Sequence, residues 1–124
     1  MESFMKYVDQ IHDYKGQWDV PSRCGLKIVR KHDRDIVIAT ELFEENPGTS
    51  ITNVSAQLAA DIVHTYGLDP GRLLFIEHCS DRGSRLEHFR ESFDIVHLKW
   101  DGTRFGDPDW ESISRERVDE MIRD

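Results

Sequence analysis

Long hydrophobic runs are missing from this chain of 124 residues. No apolar stretch approaches the roughly 20 residues that a membrane-spanning helix requires, and residues 1–15 lack the apolar centre of a signal peptide. Cysteine is scarce too, because the chain has only two, and neither belongs to a Cys-x-x-Cys pair of the kind that binds zinc. We therefore expect a cytoplasmic protein with no membrane segment, no disulfide framework, no metal and no cofactor.

Basic residues are scarce in the middle of the chain. The sequence has 24 acidic and 16 basic residues and a net charge of -8, and residues 41–81 contain seven acids against Arg72 alone. Proteins that bind nucleic acid neutralise its phosphates with lysine and arginine, so we do not expect a nucleic-acid partner. A strongly acidic surface can instead imitate a nucleic acid and block a basic protein.

The composition is that of a folded globular protein, with 38% hydrophobic and 32% charged residues. The sequence has no internal repeat, no low-complexity tract and no linker, which predicts a single domain over residues 1–124. Residues 1–20 are predicted to form an N-terminal arm or a short helix, because apolar residues there have helical spacing. Residues 101–124 are predicted to form a turn-rich tail followed by a C-terminal helix.

Hydrophobic periodicity predicts four strands and one strong helix. Apolar alternation places the strands at residues 25–31, 35–42, 73–78 and 93–100. Val54, Leu58 and Ile62 recur every fourth residue and predict a helix over residues 53–66, which ends at Gly67. The outward face of this helix is predicted to carry Gln57, Asp61 and His64.

The predicted order of elements is ββαββα, with the last helix starting near Ser114. This order favours an α+β fold built as a two-layer sandwich. The expected sheet has four mostly antiparallel strands, and both helices are expected on one of its faces.

Polar side chains end two predicted strands and precede the strong helix. Glu41, Glu77 and His78 are candidate catalytic residues, because paired carboxylates and histidine support acid–base chemistry. Adjacent residues of a strand point to opposite faces, which weakens a joint site of His78 and Cys79. The loop before the helix supplies the candidate ligand-binding residues Asn46, Thr49, Ser50, Thr52 and Asn53. The same loop can simply turn the chain and cap the helix, and this alternative stays open.

The tail carries three aromatic residues that are candidates for an interface: Trp100, Phe105 and Trp110. Aromatic residues in a turn-rich segment often anchor interfaces, although they can also close a core. Because no catalytic signature is present, the favoured function is a protein-interaction module without catalysis, with a protein partner or self-association as a homodimer. The alternative is a small-molecule or metal-dependent binder or enzyme with a site at Glu41, Glu77, His78 and residues 46–53. The third is an acidic mimic of nucleic acid.

Four stretches of the sequence match a pattern found in a group of small bacterial proteins. They are Trp18-Asp19-Val20-Pro21, Thr40-Glu41-Leu42, residues 46–53 (NPGTSITN) and Ile76-Glu77-His78. The chain resembles that group, whose pattern is a strand ending in Glu-Leu-Pro, an Asn-Pro-Gly-Thr-Ser-x-Thr-Asn loop and a later Ile-Glu-His-Tyr-Pro. The likeness spans about residues 18–100, with departures at Phe43 and at Cys79-Ser80. The resemblance implies a bacterial, cytoplasmic protein in which Cys79 is not a nucleophile, and it carries over no activity.

Overall fold

A mixed β-sheet organises the chain. The computed structural model describes residues 6–15, 21–41, 54–81 and 90–123, and within them it contains six strands and two α-helices. The strands are β1 (Gln10–Lys15), β2 (Pro21–Arg30), β3 (Asp35–Glu41), β4 (Leu73–Asp81), β5 (Arg90–His97) and β6 (Asp109–Ile113). The helices are α1 (Ala56–Tyr66) and α2 (Arg115–Ile122), and a single 3-10 turn (Pro70–Arg72) leads into β4.

The strands lie in the sheet in the order of the sequence, and one neighbouring pair is parallel. β3 and β4 run in the same direction, with Thr40 opposite His78, whereas every other neighbouring pair is antiparallel. A parallel pair requires a crossover connection between its strands. The chain from Glu41 to Leu73 makes this crossover and contains α1. As a result, the C-terminal ends of β3 and β4 lie side by side.

The central strands are apolar on both faces, so each face has its own hydrophobic core. On the face covered by α1, the buried residues include Leu26, Val37, Ala39, Phe75 and Val96 of the sheet and Leu58 and Ile62 of the helix. On the face covered by α2, they are Tyr7, Ile36, Ile38, Ile76, Phe93 and Val118. We call these the α1 face and the α2 face.

Helix α1 has a capping residue at each end, Ser55 before its first turn and Gly67 after its last. The Ser55 hydroxyl accepts a hydrogen bond from the backbone N–H of Leu58, and Gly67 has the left-handed φ of 63° that commonly ends helices. The predicted end of the helix is therefore confirmed, whereas the helix begins at Ala56, later than residue 53. None of the described helices is long and apolar enough to cross a membrane.

The predicted four-stranded, mostly antiparallel two-layer sandwich with element order ββαββα is wrong. The described sheet has six strands and a parallel pair at its centre, and its helices lie on opposite faces. The physical reason is the apolar surface of residues 36–39 on both sides of β3, which requires a cover on each face. A layer of helix on one face only would leave half of this surface in water.

Both ends of the chain also differ from the prediction. Residues 10–15, which fell within the predicted N-terminal arm or helix, form β1, and residues 109–113 of the predicted turn-rich tail form β6. Both are edge strands with many exposed side chains, so neither has the continuous apolar pattern by which a buried strand is recognised. The C-terminal helix starts after Ser114 as predicted.

We predict that Gly25→Ala destabilises the fold through a contact with Val8. A Cβ atom at position 25 would lie 2.7 and 2.9 Å from the two Cγ atoms of Val8, and overpacking of this kind typically costs about 1 to 3 kcal/mol. Urea unfolding of the two single variants and of Gly25→Ala/Val8→Ala measures the coupling. In the Val8→Ala background, Gly25→Ala should lower the free energy of unfolding by much less than it does in the wild type. If Gly25→Ala lowers the free energy of unfolding equally in the wild type and in Val8→Ala, the strain does not come from the contact with Val8.

Candidate functional site

Glu77 is a buried carboxylate on the α1 face. Its side chain is 4% exposed, and its Oε2 accepts hydrogen bonds from the backbone N–H of Val54 at 2.5 Å and from Nε1–H of Trp110 at 3.1 Å. We call these three residues the Glu77 site. Burial raises the pKa of Glu77 above its ordinary value, and the two hydrogen bonds oppose this effect.

The Glu77 site joins three separate elements of the fold. Val54 immediately precedes Ser55, which caps the start of α1, and Trp110 lies in the edge strand β6. The carboxylate of a central strand therefore holds both the start of the helix and the far edge of the sheet. These contacts give Glu77 a structural role, and its catalytic role stays a prediction from the sequence.

His78 is the centre of a second polar cluster, on the α2 face. It is 0% exposed. Its Nδ1 lies 3.0 Å from Thr40 Oγ1, and its Nε2 lies 2.7 Å from a carboxylate oxygen of Glu91. The Arg115 guanidinium donates hydrogen bonds to the other oxygen of Glu91, with Nε at 2.8 Å. We call Thr40, His78, Glu91 and Arg115 the His78 network.

The His78 ring is enclosed by aromatic side chains. Phe93 stacks on it at 4.5 Å between ring centroids, and Tyr7 meets its edge at 5.1 Å. Burial lowers the pKa of His78 below its ordinary value, although Glu91 pulls it upward. The neutral ring donates Nε2–H to Glu91 and accepts the Thr40 hydroxyl hydrogen at Nδ1. Every polar atom of the ring is thus satisfied inside the protein, as expected for a buried structural network.

The structure separates the catalytic candidates of the sequence analysis. Glu77 and His78 are adjacent in β4 and contact opposite faces of the sheet. Glu41 is the last residue of β3, opposite Cys24, and its side chain lies outside the described part of the chain. The five ligand-binding candidates of the loop also lie outside the described residues: Asn46, Thr49, Ser50, Thr52 and Asn53. Glu77 and His78 therefore do not line a common pocket.

The three aromatic residues of the tail have different environments. Phe105 is 7% exposed and packs in the core against Phe75. Trp100 is partly buried and lies 5.0 Å from Phe105 between ring centroids. Trp110 is 46% exposed, even though its indole N–H reaches Glu77. Of these interface candidates, only Trp110 offers a large exposed apolar surface.

A surface groove runs between the edge strand β1 and helix α1. It has a volume of about 430 Å³ and is lined by Tyr14, Lys15, Gln57, Ala60, Asp61 and His64. We call it the β1–α1 groove. The outward orientation of the three polar residues that α1 contributes was predicted from the helical pattern. The groove itself was missed, because β1 was not predicted.

The polar centre of the groove is Asp61, which a buried histidine holds in place. His12 Nε2 lies 2.6 Å from Asp61 Oδ2, and His12 Nδ1 lies 3.1 Å from the Tyr66 hydroxyl. A carboxylate has no hydrogen to donate, so Nε2–H donates to Asp61. The Asp61 side chain is 47% exposed, and no other described donor reaches it, which leaves Oδ1 accessible to a ligand.

Cysteine chemistry does not fit this part of the molecule. Cys24 lies opposite His12 in the β1–β2 register, but burial raises the pKa of its thiol to about 12, with Asp61 adding to the effect. A thiol with this pKa is a poor nucleophile at neutral pH. No group of three or more His, Cys, Asp or Glu side chains within the described ranges is arranged to hold a metal ion.

No family model, curated protein or solved structure matches the chain. The resemblance to small bacterial proteins at residues 18–100 therefore stays a prediction.

We predict that His78→Gln reduces the dependence of stability on pH. The folded pKa of His78 is below the unfolded value of 6.5, so its contribution to wild-type stability decreases as pH falls below that value. A tenfold difference in proton affinity between the two states is worth about 1.4 kcal/mol. Urea unfolding at about pH 7.5 and pH 5.5 should therefore show a smaller difference for the variant than for the wild type.

The control for this experiment is His32→Gln, which removes an exposed histidine from the β2–β3 turn. His78→Gln also loses ring packing, so its stability at pH 7.5 should be lower by about 1 to 3 kcal/mol. An unchanged difference between the two pH values in His78→Gln would show that His78 is not a source of the pH dependence.

We predict that Glu77→Gln becomes more stable relative to the wild type as pH rises. The folded pKa of Glu77 is above the unfolded value of 4.5, so ionisation of the buried carboxylate weakens the fold as pH increases through this range. Glutamine keeps an oxygen that can accept both hydrogen bonds and does not ionise. Unfolding free energies at about pH 5 and pH 8 measure the effect, with the exposed Glu111→Gln as the matched control. A relative stability of Glu77→Gln that falls with pH would contradict the assignment.

Proposed function

We propose that this protein is an interaction module without catalysis, which binds an extended segment of another protein along β1. The observation that carries the proposal is the β1–α1 groove beside an open sheet edge. β1 is the first strand of the sheet, and no strand of the described residues pairs with its outer side. A partner strand can therefore add to the sheet at this edge, with α1 as one wall of its binding site.

An edge strand provides affinity through its backbone. Alternate N–H and C=O groups of an edge strand point away from the sheet, where they can pair with an incoming chain. Strand addition of this kind is a common way to recognise extended peptides, in which main-chain hydrogen bonds give affinity and side-chain pockets give specificity. β1 has six residues, which is enough for several such hydrogen bonds.

The side chains around β1 can distinguish one segment from another. Residues of an added strand alternate between the two faces of the sheet. Those opposite His12 and Tyr14 enter the β1–α1 groove, because both of these side chains lie on the α1 face. Those on the other face lie near Ile11, an isoleucine that is 46% exposed. An exposed isoleucine on an open strand is a natural contact for an apolar side chain of a partner.

The opposite edge of the sheet is less suited to strand addition. β6 carries Asp109 and Glu111, and charged side chains are a common means of protecting an edge strand from pairing. Each edge strand has one acid paired with its neighbouring strand, since Asp13 of β1 contacts Arg23 at 2.9 Å and Glu111 of β6 contacts His97 at 2.8 Å. β6 carries two acids and no base, whereas β1 carries Asp13 and Lys15, whose charges are opposite, and β1 borders the groove. The balance of charge and the groove together favour β1.

The other functions considered from the sequence have no comparable support. The small-molecule or metal site required Glu77 and His78 on one side of the sheet, and their contacts lie on opposite sides. For an acidic mimic of nucleic acid, the net charge of -8 is the only motive. A second copy of this chain could also occupy the β1 edge, so the experiment below separates that outcome from a partner segment.

We predict that peptides of about ten residues selected from a random displayed library bind along β1, because this length covers the strand. Amide NMR shifts on adding a selected peptide should concentrate in β1 and in the residues of α1 that line the groove. Ala60→Trp, which fills the groove, should weaken binding by roughly tenfold or more. The matched control is Thr65→Trp, at an exposed position of α1 that does not line the groove.

Three results would overturn this proposal. They are the absence of any enriched peptide, shifts centred away from β1, and equal binding by Ala60→Trp and the wild type. Light scattering after size exclusion tests the remaining occupant. A dimer that Ala60→Trp dissociates and Thr65→Trp does not would assign the edge to a second copy.

A further inference from the structure

We propose that the segment bound along β1 carries a lysine or arginine opposite His12 and an apolar residue next to it in sequence. This inference rests on the proposed function and names the chemistry of the partner. It identifies Asp61 as the residue that binds the basic side chain, and Ile11 as the contact for the apolar side chain.

The carboxylate of Asp61 is positioned before any ligand arrives. His12 is buried and is held from its other side by the Tyr66 hydroxyl, so its Nε2–H fixes Asp61 Oδ2 at 2.6 Å. The second oxygen, Oδ1, meets no described donor and belongs to a residue that lines the groove. A fixed acceptor beside an exposed edge loses little freedom when a ligand binds, which favours affinity.

The position opposite His12 is the one that reaches Asp61. Directly paired residues of neighbouring strands lie on the same face with their Cβ atoms about 5 Å apart. A side chain opposite His12 therefore enters the groove next to the carboxylate that His12 holds. Lysine and arginine fit because their charged ends can reach past the strand while their methylene stems pack on the groove wall. The Tyr14 ring, which stacks with His12 at 6.1 Å between centroids, offers such a wall.

Charge complementarity favours a cation over a neutral or acidic group. Asp61 is the only acid among the residues that line the groove, Lys15, three residues beyond His12 at the end of β1, is the only lysine or arginine among them, and the whole chain has a net charge of -8. An acidic side chain at this position would face a fixed carboxylate in a partly enclosed site. Such a like-charge contact is the element that rejects a wrong partner.

The residue next to the basic one lies on the α2 face, because neighbouring residues of a strand alternate. There it comes beside Ile11, whose side chain is 46% exposed. Asp13, further along the same face, is engaged by Arg23. The position opposite Ile11 therefore offers an apolar contact, and the two faces together favour a basic residue beside an apolar one.

A second copy of this chain does not supply that pattern. In an antiparallel two-fold pairing of β1 with itself, paired side chains must lie on the same face. The residues that could lie opposite His12 are then Gln10, His12 and Tyr14, and none of them is lysine or arginine. Lys15 lines the groove, but in such a pairing it lies opposite an odd-numbered residue and not opposite His12. The basic requirement therefore points to a different protein as the partner.

The test uses a peptide selected on the wild-type protein and a second peptide in which its groove-facing basic residue is glutamine. Both are titrated against the wild type, Asp61→Asn and Asp13→Asn. Asparagine at 61 keeps an oxygen that accepts the His12 hydrogen bond, and Asp13→Asn removes the same charge from the opposite face of β1. The wild type and Asp13→Asn should prefer the basic peptide by roughly tenfold, and Asp61→Asn should prefer neither.

The outcomes separate this inference from the function on which it rests. If selected peptides bind along β1 without a basic residue, or if Asp61→Asn keeps the preference, Asp61 does not read the partner although strand addition stands. If no selected peptide binds along β1, both ideas fall. Loss of the preference in Asp61→Asn alone supports the inference.

Discussion

The parallel pairing of β3 with β4 is the constraint on which the rest of the structure depends. Two parallel neighbours need a crossover between them, and the chain from Glu41 to Leu73 provides it with α1. Helix α1 covers one face of the pair. The other face is equally apolar, and Tyr7 and α2 cover it through Val118. Both helices, both cores and the position of the sheet edges follow from this one pair.

Two adjacent residues of β4 fix the register of the central strands. Glu77 needs the donors of Val54 and Trp110 on the α1 face, and His78 needs Thr40 and Glu91 on the α2 face. A slip by one residue would send each side chain to the other face. A buried carboxylate and a buried imidazole would then lose their partners, which is expensive in a low-dielectric interior. Polar chemistry at the centre of this sheet therefore specifies the fold.

The parts of the fold that could be predicted from sequence are those with a regular pattern of apolar residues. The stripe of Val54, Leu58 and Ile62 and the cap at Gly67 identify α1, and the apolar residues 36–39 identify a central strand. The edge strands could not be predicted in this way. In β1 the pattern is broken by the buried polar residue His12, whose contacts with Asp61 and Tyr66 are long-range, and in β6 nearly every side chain is exposed.

The candidate site could likewise be predicted only in part. Asp61 and His64 were predicted to face outwards from the helical period alone, and they line the groove. Their neighbour in space, β1, is far from them in sequence, and no local pattern reports such a contact. The parallel pairing was also indicated, since strands apolar on both faces are typical of parallel sheets. The predicted order ββαββα lacked both edge strands, and this shorter list of elements favoured an antiparallel sheet.

An open edge strand is a hazard unless the molecule protects or uses it. β6 presents Trp110 to solvent between the charged residues Asp109 and Glu111, whereas β1 presents Ile11 to solvent on a strand that borders a groove. The contacts that bind α1 to β1 are the same ones that orient Asp61, because His12 bridges Asp61 and Tyr66 of the helix. The same histidine therefore holds α1 against β1 and orients the carboxylate that we propose as a contact for the partner. Packing α1 against the edge strand also builds the wall of the groove, so the surface most suited to a partner arises directly from the crossover that the parallel strands require.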